Sequence, residues 1–277
     1  MKKTLTALGL LLLTLGLVAC GGKTEKAAPE EKDAAQTSEN SIVLGVSPVP
    51  HEEILEALKP ELEKAGLDVK LVAFDDYVQP NVALSQGDLD ANFFQHKPYL
   101  DDFIAERHLD LVSIGAVHIE PMGLYSKTYK SIDDFKDGDE ILIPNDPSNG
   151  ARALLLLEKH GLIKLNDPTN PKVTERDITE NPKNLKITAL DAANIANVYG
   201  DVAGAIINSN FAIGAGLNPS TDALIIEEKD SPYANIVAVR KGEENQEKFK
   251  KLMEVLNSEA CKKFIDEKYK GSIHAAF

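Results

Sequence analysis

Three ring side chains, Phe94, His96 and Tyr99, stand together in one short stretch of the sequence. In a strand, side chains two residues apart share a face, so Phe94 and His96 are expected on the same side of the backbone. Pro98 should end the ladder pairing, which lets Tyr99 turn back over the same space. The rings could line a pocket for an apolar ligand with a few polar groups, or they could belong to the core around a half-buried histidine.

Arg152 is the second candidate for binding chemistry. It follows a polar loop, and Ser148 or Asn149 is expected to cap a helix that begins near Gly150. The free N–H groups and the positive dipole end of such a helix favour an anion. An arginine in its first turn opposes the dipole, which suggests function, and its planar fork matches a carboxylate. The alternative is an ordinary surface arginine.

Two asparagines stand where strands are expected to meet a cleft. Asn208 follows the apolar run 202–207, and open α/β sheets bind ligands at the carboxyl ends of their strands. Asn235 follows Pro232 and Tyr233 at an expected crossing between two lobes. An amide can accept from an ammonium and donate to a carboxylate, although the common alternative role of asparagine is in turns.

The elements that must position these residues are short apolar strands alternating with helices. Strands are expected at 42–46, 69–74, 111–114, 140–144, 185–189, 202–207 and 236–239, and a strand-like opening at 87–90 leads into the stretch that carries the three rings. Helices are expected at 52–65, 78–87, 101–107, from Gly150 to Gly161, at 192–198, and as one long run at 246–269. Residues 164–184 are polar and proline-rich and are expected to form a surface insertion. The alternation predicts a mostly parallel sheet in each lobe.

Four segments resemble signature segments of the NlpA/MetQ family, the methionine-binding lipoproteins of ABC importers. They occur in the family's order over most of the chain after residue 41, at Asp90–Leu100, Asn145–Leu157, Asn181–Leu185 and Ser231–Asn235. The resemblance implies an α/β protein with the two-lobed, type II periplasmic-binding-protein fold and a ligand cleft between the lobes. Lobe 1 would comprise residues 42–122 and 230–277, and lobe 2 residues 123–229.

The same resemblance implies a function and a set of ligand contacts. The family pattern places contacts at the positions of Tyr77, Phe94, His96, Tyr99, Arg152, Asn208 and Asn235. It implies capture of L-methionine and delivery to an ABC importer, with the permease and the ATPase subunit as partners and no cofactor. Aromatic rings suit this ligand because thioether sulfur packs well against aromatic edges.

Two segments depart from the family pattern. Many members carry a Gln-Leu-Pro-Arg-like segment where this chain has residues 191–196, and residues 208–211 vary among relatives. Because these differences affect which ligand is bound, a Met-containing dipeptide or another apolar amino acid is the alternative ligand to L-methionine. A metal-binding lipoprotein is a further alternative, given six histidines, but they form no His-x-x-His or His-x-His pair.

The N-terminus has the pattern of a lipoprotein signal. Lys2 and Lys3 precede an apolar run at 5–18, which is too short for a comfortable membrane span. The run ends in a segment that resembles a bacterial lipobox, in which Cys20 is acylated after removal of residues 1–19. Residues 20–41 lack large apolar side chains and are expected to form a flexible tether. The protein is therefore expected on the outer face of the cell membrane, held by lipid.

Composition limits the remaining classes of function. Acidic residues outnumber basic ones, 44 to 30, and the formal charge of -14 argues against nucleic-acid binding. The chain has no Gly-x-Ser-x-Gly, phosphate-binding loop or His-Glu-x-x-His motif, and one pocket histidine without paired carboxylates offers little acid–base chemistry. Cys261 is expected to be a buried, inert thiol. We therefore expect a binding protein without a metal site, not an enzyme.

Overall fold

The computed structural model describes residues 39–229 and 231–277, so the predicted signal, Cys20 and most of the tether lie outside the described residues. The strands of the described part are, in chain order, β1 (Ser41–Val46), β2 (Asp68–Ala73), β3 (Ala91–His96), β4 (Leu111–Ile119), β5 (Gly123–Tyr125), β6 (Glu140–Pro144), β7 (Lys164–Leu165), β8 (Ile178–Glu180), β9 (Lys186–Leu190), β10 (Gly204–Ile207), β11 (Ile225–Ile226), β12 (Ala234–Arg240) and β13 (His274–Ala275).

Helices cover the faces of the sheets that these strands form. They are α1 (Glu53–Ala57), α2 (Lys59–Lys64), α3 (Gln79–Gln86), α4 (Lys97–Arg107), α5 (Pro147–Lys159), α6 (Ala192–Val198), α7 (Ser209–Gly214), α8 (Pro219–Asp222), α9 (Glu247–Leu256) and α10 (Glu259–Tyr269). Among the described residues, no helix has both the length and the apolar composition needed to cross a membrane.

Two sheets organise the chain. The larger has six strands in the order β13-β4-β12-β3-β1-β2, and the smaller has five in the order β11-β5-β10-β6-β9. Apolar side chains pack on both faces of each sheet. This agrees with the near-continuous apolar sequences of the strands, which are typical of strands buried on both sides. The chain passes between the sheets after β4 and again before β12, so residues near Glu120 and Asn235 lie where the two sheets meet.

The sheets are mixed, which corrects the prediction of mostly parallel sheets. β1 pairs in parallel with β2 and β3, but β12 pairs antiparallel with β3 and β4. In the smaller sheet, β6 pairs in parallel with β9 and β10, but β5 pairs antiparallel with β10. Of the strands with antiparallel partners, β5 and β12 are entered directly from a crossing, without a preceding helix on the same sheet.

Three helix predictions are also corrected. The run 52–65 is divided at Leu58 between α1 and α2, and the run 246–269 is divided between α9 and α10 because Ser258 caps a new helix by accepting from the Cys261 N–H. The helix α4 begins at Lys97, not at Asp101, since proline is tolerated in a first turn. The expected insertion contains the small antiparallel pair β7 and β8. The predicted lobe boundaries stay a prediction.

Candidate functional site

A cavity lies where the carboxyl ends of β3, β6 and β10 meet the two crossings. Side chains from both sheets line it, namely Tyr77, Phe94, Gln95, His96, Tyr99, Glu120, Asn149, Arg152, Asn208, Ser209 and Asn235. The cavity has a volume of about 330 Å³. This lies at the lower end of the range of pockets that hold small ligands.

One wall of the cavity is aromatic. The ring centroids of Tyr77 and Tyr99 are 5.7 Å apart, and Phe94 lies 6.0 Å from Tyr77 and 6.1 Å from Tyr99. These separations fall in the range at which aromatic rings attract one another. The Tyr99 hydroxyl donates to the Tyr77 carbonyl at 2.8 Å, which fixes the two rings together. Phe94 and His96 both border the cavity, but Gln95 between them does so too, so their shared strand face stays a prediction.

His96 joins this wall to the polar side. It is the last residue of β3 and the cap of α4, where its Nδ1 accepts from the Tyr99 N–H at 3.2 Å. The proton of the neutral ring therefore sits on Nε2, which donates to Asn149 Oδ1 at 3.0 Å. Burial, with a smaller contribution from the Arg152 charge, lowers the pKa of His96 to about 3. The ring is neutral and both of its nitrogens are engaged.

Arg152 borders the cavity but is already paired. Its Nε donates to Glu227 Oε1 at 2.7 Å, and its Nη2 donates to Glu227 Oε2 at 2.5 Å and to the Glu120 carbonyl at 2.7 Å. Its guanidinium also stacks on Tyr233, 4.4 Å from the ring centroid. The expectation of a free fork is therefore wrong. Of the three guanidinium nitrogens, only Nη1 makes no hydrogen bond within the described residues.

The start of α5 also differs from the prediction. Asp146, not Ser148 or Asn149, caps the helix by accepting from the Asn149 N–H at 2.9 Å. Arg152 therefore lies in the second turn, and the argument from a misplaced first-turn charge does not hold. The Asn149 side chain instead connects elements, since it donates to Asp146 and accepts from Asn208 Nδ2 at 3.0 Å.

A buried cluster of Glu120, His51 and His118 lies behind the polar wall. Glu120 Oε1 is 2.7 Å from His118 Nε2 and 3.3 Å from His51 Nε2. His51 Nε2 is also 3.1 Å from Asn235 Oδ1. In register, Asn235 of β12 lies between His96 of β3 and His118 of β4, so one row across the sheet carries three polar side chains.

The ionisation of this cluster follows from its burial. Burial lowers the pKa of His51 to about 4, although Glu120 opposes the shift, and burial lowers the pKa of His118 to about 3. Burial raises the pKa of Glu120, while His51, Arg152 and the Asn210 N–H act to lower it. Both imidazoles are therefore neutral, and each directs an Nε2–H group towards the carboxylate.

The same three side chains are the one group of potential metal ligands in the described part of the chain, with donor atoms within 4.8 Å of one another. Their geometry favours hydrogen bonds over a metal ion. A metal-bound histidine normally donates its second ring nitrogen to an acceptor, but Nδ1 of His51 and Nδ1 of His118 are buried without a partner among the described residues.

The structure brings all seven sequence-predicted residues to one cavity: Tyr77, Phe94, His96, Tyr99, Arg152, Asn208 and Asn235. Their role as ligand contacts stays a prediction. The sequence analysis missed Glu120 and the two histidines behind it. Their positions in the chain could have identified two of them, because Glu120 stands at the expected lobe crossing and His51 follows the carboxyl end of β1. Cys261 is buried as expected, and burial raises the pKa of its thiol to about 12.

Comparison with known proteins places the chain in a family. The profile of the NlpA lipoprotein family matches residues 42–277. The chain belongs to the NlpA lipoprotein family. This NlpA lipoprotein is similar to the D-methionine-binding lipoprotein MetQ of Salmonella typhi, with 43% identity over 272 residues that cover 97% of this chain and 96% of the relative.

Solved structures resemble this NlpA lipoprotein over most of its length. A nutrient-binding protein from Burkholderia cenocepacia, bound to methionine, has 47% identity and a TM-score of 0.82, covering 85% of this chain and 100% of that one. An ABC-transporter periplasmic substrate-binding protein from Coxiella burnetii has 45% identity and a TM-score of 0.81 over 85% and 100% of the two chains. The predicted fold class, a two-lobed α/β binding-protein fold, is confirmed.

Proposed function

We propose that this protein is an extracytoplasmic binding protein that captures methionine and delivers it to an ABC importer. The observation that carries the proposal is the cavity itself, with an aromatic wall facing a wall of amide and charged groups. Pockets of this kind hold small ligands that are mostly apolar and carry a few polar groups. The names of the relatives from Salmonella typhi and Burkholderia cenocepacia support methionine as that ligand.

The aromatic wall suits the side chain of methionine. A thioether is flexible and polarizable, and sulfur gains about 0.3–1.5 kcal/mol beside an aromatic ring. Phe94, Tyr77 and Tyr99 supply three rings whose centroids all lie within 6.1 Å of one another. The cavity volume of about 330 Å³ favours a single amino acid over the alternative Met-containing dipeptide.

The polar wall suits the backbone groups of an amino acid. The Nη1 group of Arg152 can donate to a carboxylate end-on, since its other donors hold Glu227 and the Glu120 carbonyl. Asn208 and Asn235 add amide groups on the same wall. His96 offers no free ring nitrogen, so it shapes the pocket and does not act as a base. This supports a role in binding, not catalysis.

Titration calorimetry of ligand-free protein tests the proposal. We expect L-methionine to bind more tightly than norleucine, in which a methylene replaces sulfur, by about twofold to tenfold. D-methionine and a glycyl-methionine dipeptide are measured alongside, because the Salmonella relative is named for the D-enantiomer and the dipeptide is the alternative ligand. Protein that binds none of the methionine ligands contradicts the proposal.

The lipid anchor and the transporter are part of the same proposal. Acylation of Cys20 would hold the protein at the outer face of the cell membrane, where it can pass its ligand to the permease of an importer that an ATPase subunit drives. We expect Cys20→Ala protein to leave the membrane fraction or to remain unprocessed. Cys20→Ala protein that is processed normally and still fractionates with membranes contradicts the anchor, and Cys261→Ala serves as the control for loss of a cysteine.

A further inference from the structure

The C-terminal segment, residues 270–277, is fixed to the larger sheet beside the first crossing. Its strand β13 pairs antiparallel with the last residues of β4, just before the chain leaves for the smaller sheet. The Ala276 N–H also donates to the Val117 carbonyl at 3.0 Å. The end of the chain therefore moves with the larger sheet and lies against one of the two crossings between the sheets.

Ser272, near the start of this segment, reaches the smaller sheet. Its hydroxyl donates to Asn218 Oδ1 at 2.9 Å and lies 3.0 Å from the Ser220 hydroxyl. Asn218 caps α8, which lies between β10 and β11 of the smaller sheet. Ser272 is 4% exposed, so little water competes for these bonds. A buried side chain from one sheet therefore holds a helix that belongs to the other.

An apolar contact accompanies these bonds. Ile213 of α7, the helix that precedes α8, packs against the core of the larger sheet, and so does Ala275 of β13. The start of α7 carries Asn210, which accepts from the Tyr77 hydroxyl at the mouth of the cavity. The α7–α8 segment is therefore fastened to the larger sheet at two places, once beside the cavity and once at the C-terminal segment.

The bonds of Ser272 depend on how the two sheets are oriented. O–H···O hydrogen bonds are normally about 2.5–3.0 Å long, and both contacts of Ser272 lie at the upper end of this range. Rotation of one sheet against the other about the crossings would lengthen them further and break them. The contact therefore stabilises the arrangement in which side chains of both sheets border the cavity.

We propose that the C-terminal segment is a latch, which holds the two lobes together through Ser272 and thereby controls the opening of the cavity. This role goes beyond the proposed function, because the latch touches no ligand. It acts on the fraction of the protein that is closed, and the apparent affinity is proportional to that fraction. Loss of the Ser272 hydroxyl should therefore weaken methionine binding by about twofold to tenfold.

A cysteine pair tests the latch directly. The 3.0 Å between the two hydroxyls brings the double variant Ser220→Cys/Ser272→Cys within reach of a disulfide. Cys261 should not compete, because it is buried and the pKa of its thiol is raised to about 12. By solution scattering, the oxidised ligand-free variant should have a smaller radius of gyration than the reduced one. Oxidised after loading with methionine, it should release the ligand roughly tenfold more slowly or less readily still.

Ser272→Ala and Ser258→Ala separate the latch from stability in general. Both changes remove one hydroxyl near the C-terminus, but Ser258 caps α10 and bonds only to Val255 and Cys261, within the helices of the larger sheet. Ser272→Ala should weaken methionine binding as stated above. Ser258→Ala should lower the free energy of unfolding but leave the affinity within about twofold of wild type.

Two results would overturn the latch. One is an oxidised cysteine pair with the same radius of gyration and the same release rate as the reduced pair. The other is Ser272→Ala protein with the affinity of wild type. Failure of wild-type protein to bind methionine overturns the proposed function instead, and the scattering of the oxidised and reduced pair then decides the latch without a ligand.

Discussion

Arg152 shows how a residue can border a ligand cavity and stabilise the protein at once. Its Nε and Nη2 hold Glu227 and the Glu120 carbonyl, so it ties α5 to both crossings between the lobes. Glu227 in turn accepts from the Met122 N–H at 2.9 Å. Loss of the arginine side chain should therefore affect the stability of the fold as well as ligand affinity.

Arg152→Ala is expected to destabilise the protein by about 3–5 kcal/mol, because it leaves the largely buried Glu227 without a counter-charge. It should also weaken methionine binding by roughly 30-fold to several thousand-fold. Arg152→Lys should recover only part of both, since an ammonium cannot hold all the partners of the guanidinium. Urea unfolding and calorimetry give the two quantities.

The double variant Arg152→Ala/Glu227→Ala separates the two roles of the arginine. It should regain part of the lost stability, because no charge is left unpaired, but it should not regain affinity. If affinity recovers together with stability, Arg152 acts on the ligand only through the fold, and its assignment as a ligand contact is wrong.

The residues that sequence predicted at the site are those with a local signal. Phe94 and His96 follow from strand periodicity, and their cavity location needed no long-range information. The Glu120 cluster could not be predicted in this way, since His51 and His118 are brought together only by sheet pairing across β1, β3, β12 and β4. The pairing of Arg152 with Glu227 depends in the same way on where the second crossing lies.

At the level of elements, the Tyr77 hydroxyl makes one of the hydrogen bonds that join the two sides of the cavity. Tyr77, between β2 and α3, donates its hydroxyl to Asn210 Oδ1 of α7 at 2.6 Å, and its ring lies 5.0 Å from that of Phe211. The larger sheet supports Tyr77 and the smaller sheet supports α7. This bond therefore connects the lobes across the mouth of the site.

Tyr77→Phe keeps the ring and removes this bond, at a net loss of about 1 kcal/mol. We expect methionine affinity to fall by roughly fivefold, mainly through faster dissociation, because mutations at one binding surface act mostly on the dissociation rate. Stopped-flow dissociation measures the effect. Tyr99→Phe is the control, since its hydroxyl bonds within the same lobe. Equal acceleration in both variants argues against a specific link between the lobes.

Strand positions were predicted well, and helix boundaries less well, for physical reasons. Apolar β-branched runs such as 42–46 and 140–144 mark strands directly, and β6 has the predicted bounds. The break between α9 and α10 depends on one capping bond at Ser258, which competes with helix continuation by a small free energy. Strand direction was wrong where it depended on how the chain crosses between the sheets.

For the whole molecule, three buried histidines link stability to pH. Burial lowers the pKa of His51 to about 4 and those of His96 and His118 to about 3, so the unfolded chain binds protons there that the folded protein does not. Stability is therefore full above pH 6.5, the ordinary histidine value, and falls as pH decreases towards about 4. The raised pKa values of Glu120 and Asp146 oppose this, but two acids act against three histidines.

Urea unfolding between pH 7 and 4 should show this decline, with each histidine contributing at most about 1.4 kcal/mol per pH unit. His96→Asn should make the slope shallower by up to that amount. His108→Asn is the control, because His108 lies exposed at the end of α4 and asparagine tolerates its left-handed backbone. A stability that does not change across this range contradicts neutral, buried imidazoles.

The position of β12 determines the order in which the protein can assemble. Every strand of the smaller sheet precedes it in the chain, whereas the larger sheet needs it to join β4 to β3. A chain that has emerged from a ribosome or a secretion channel only as far as Tyr233 can complete one lobe, but its other lobe is divided into two pieces with bare strand edges. Such edges pair readily with other chains. The late strand β12 also carries Asn235, so the ligand cavity and the joining of β4 to β3 form in the same late step.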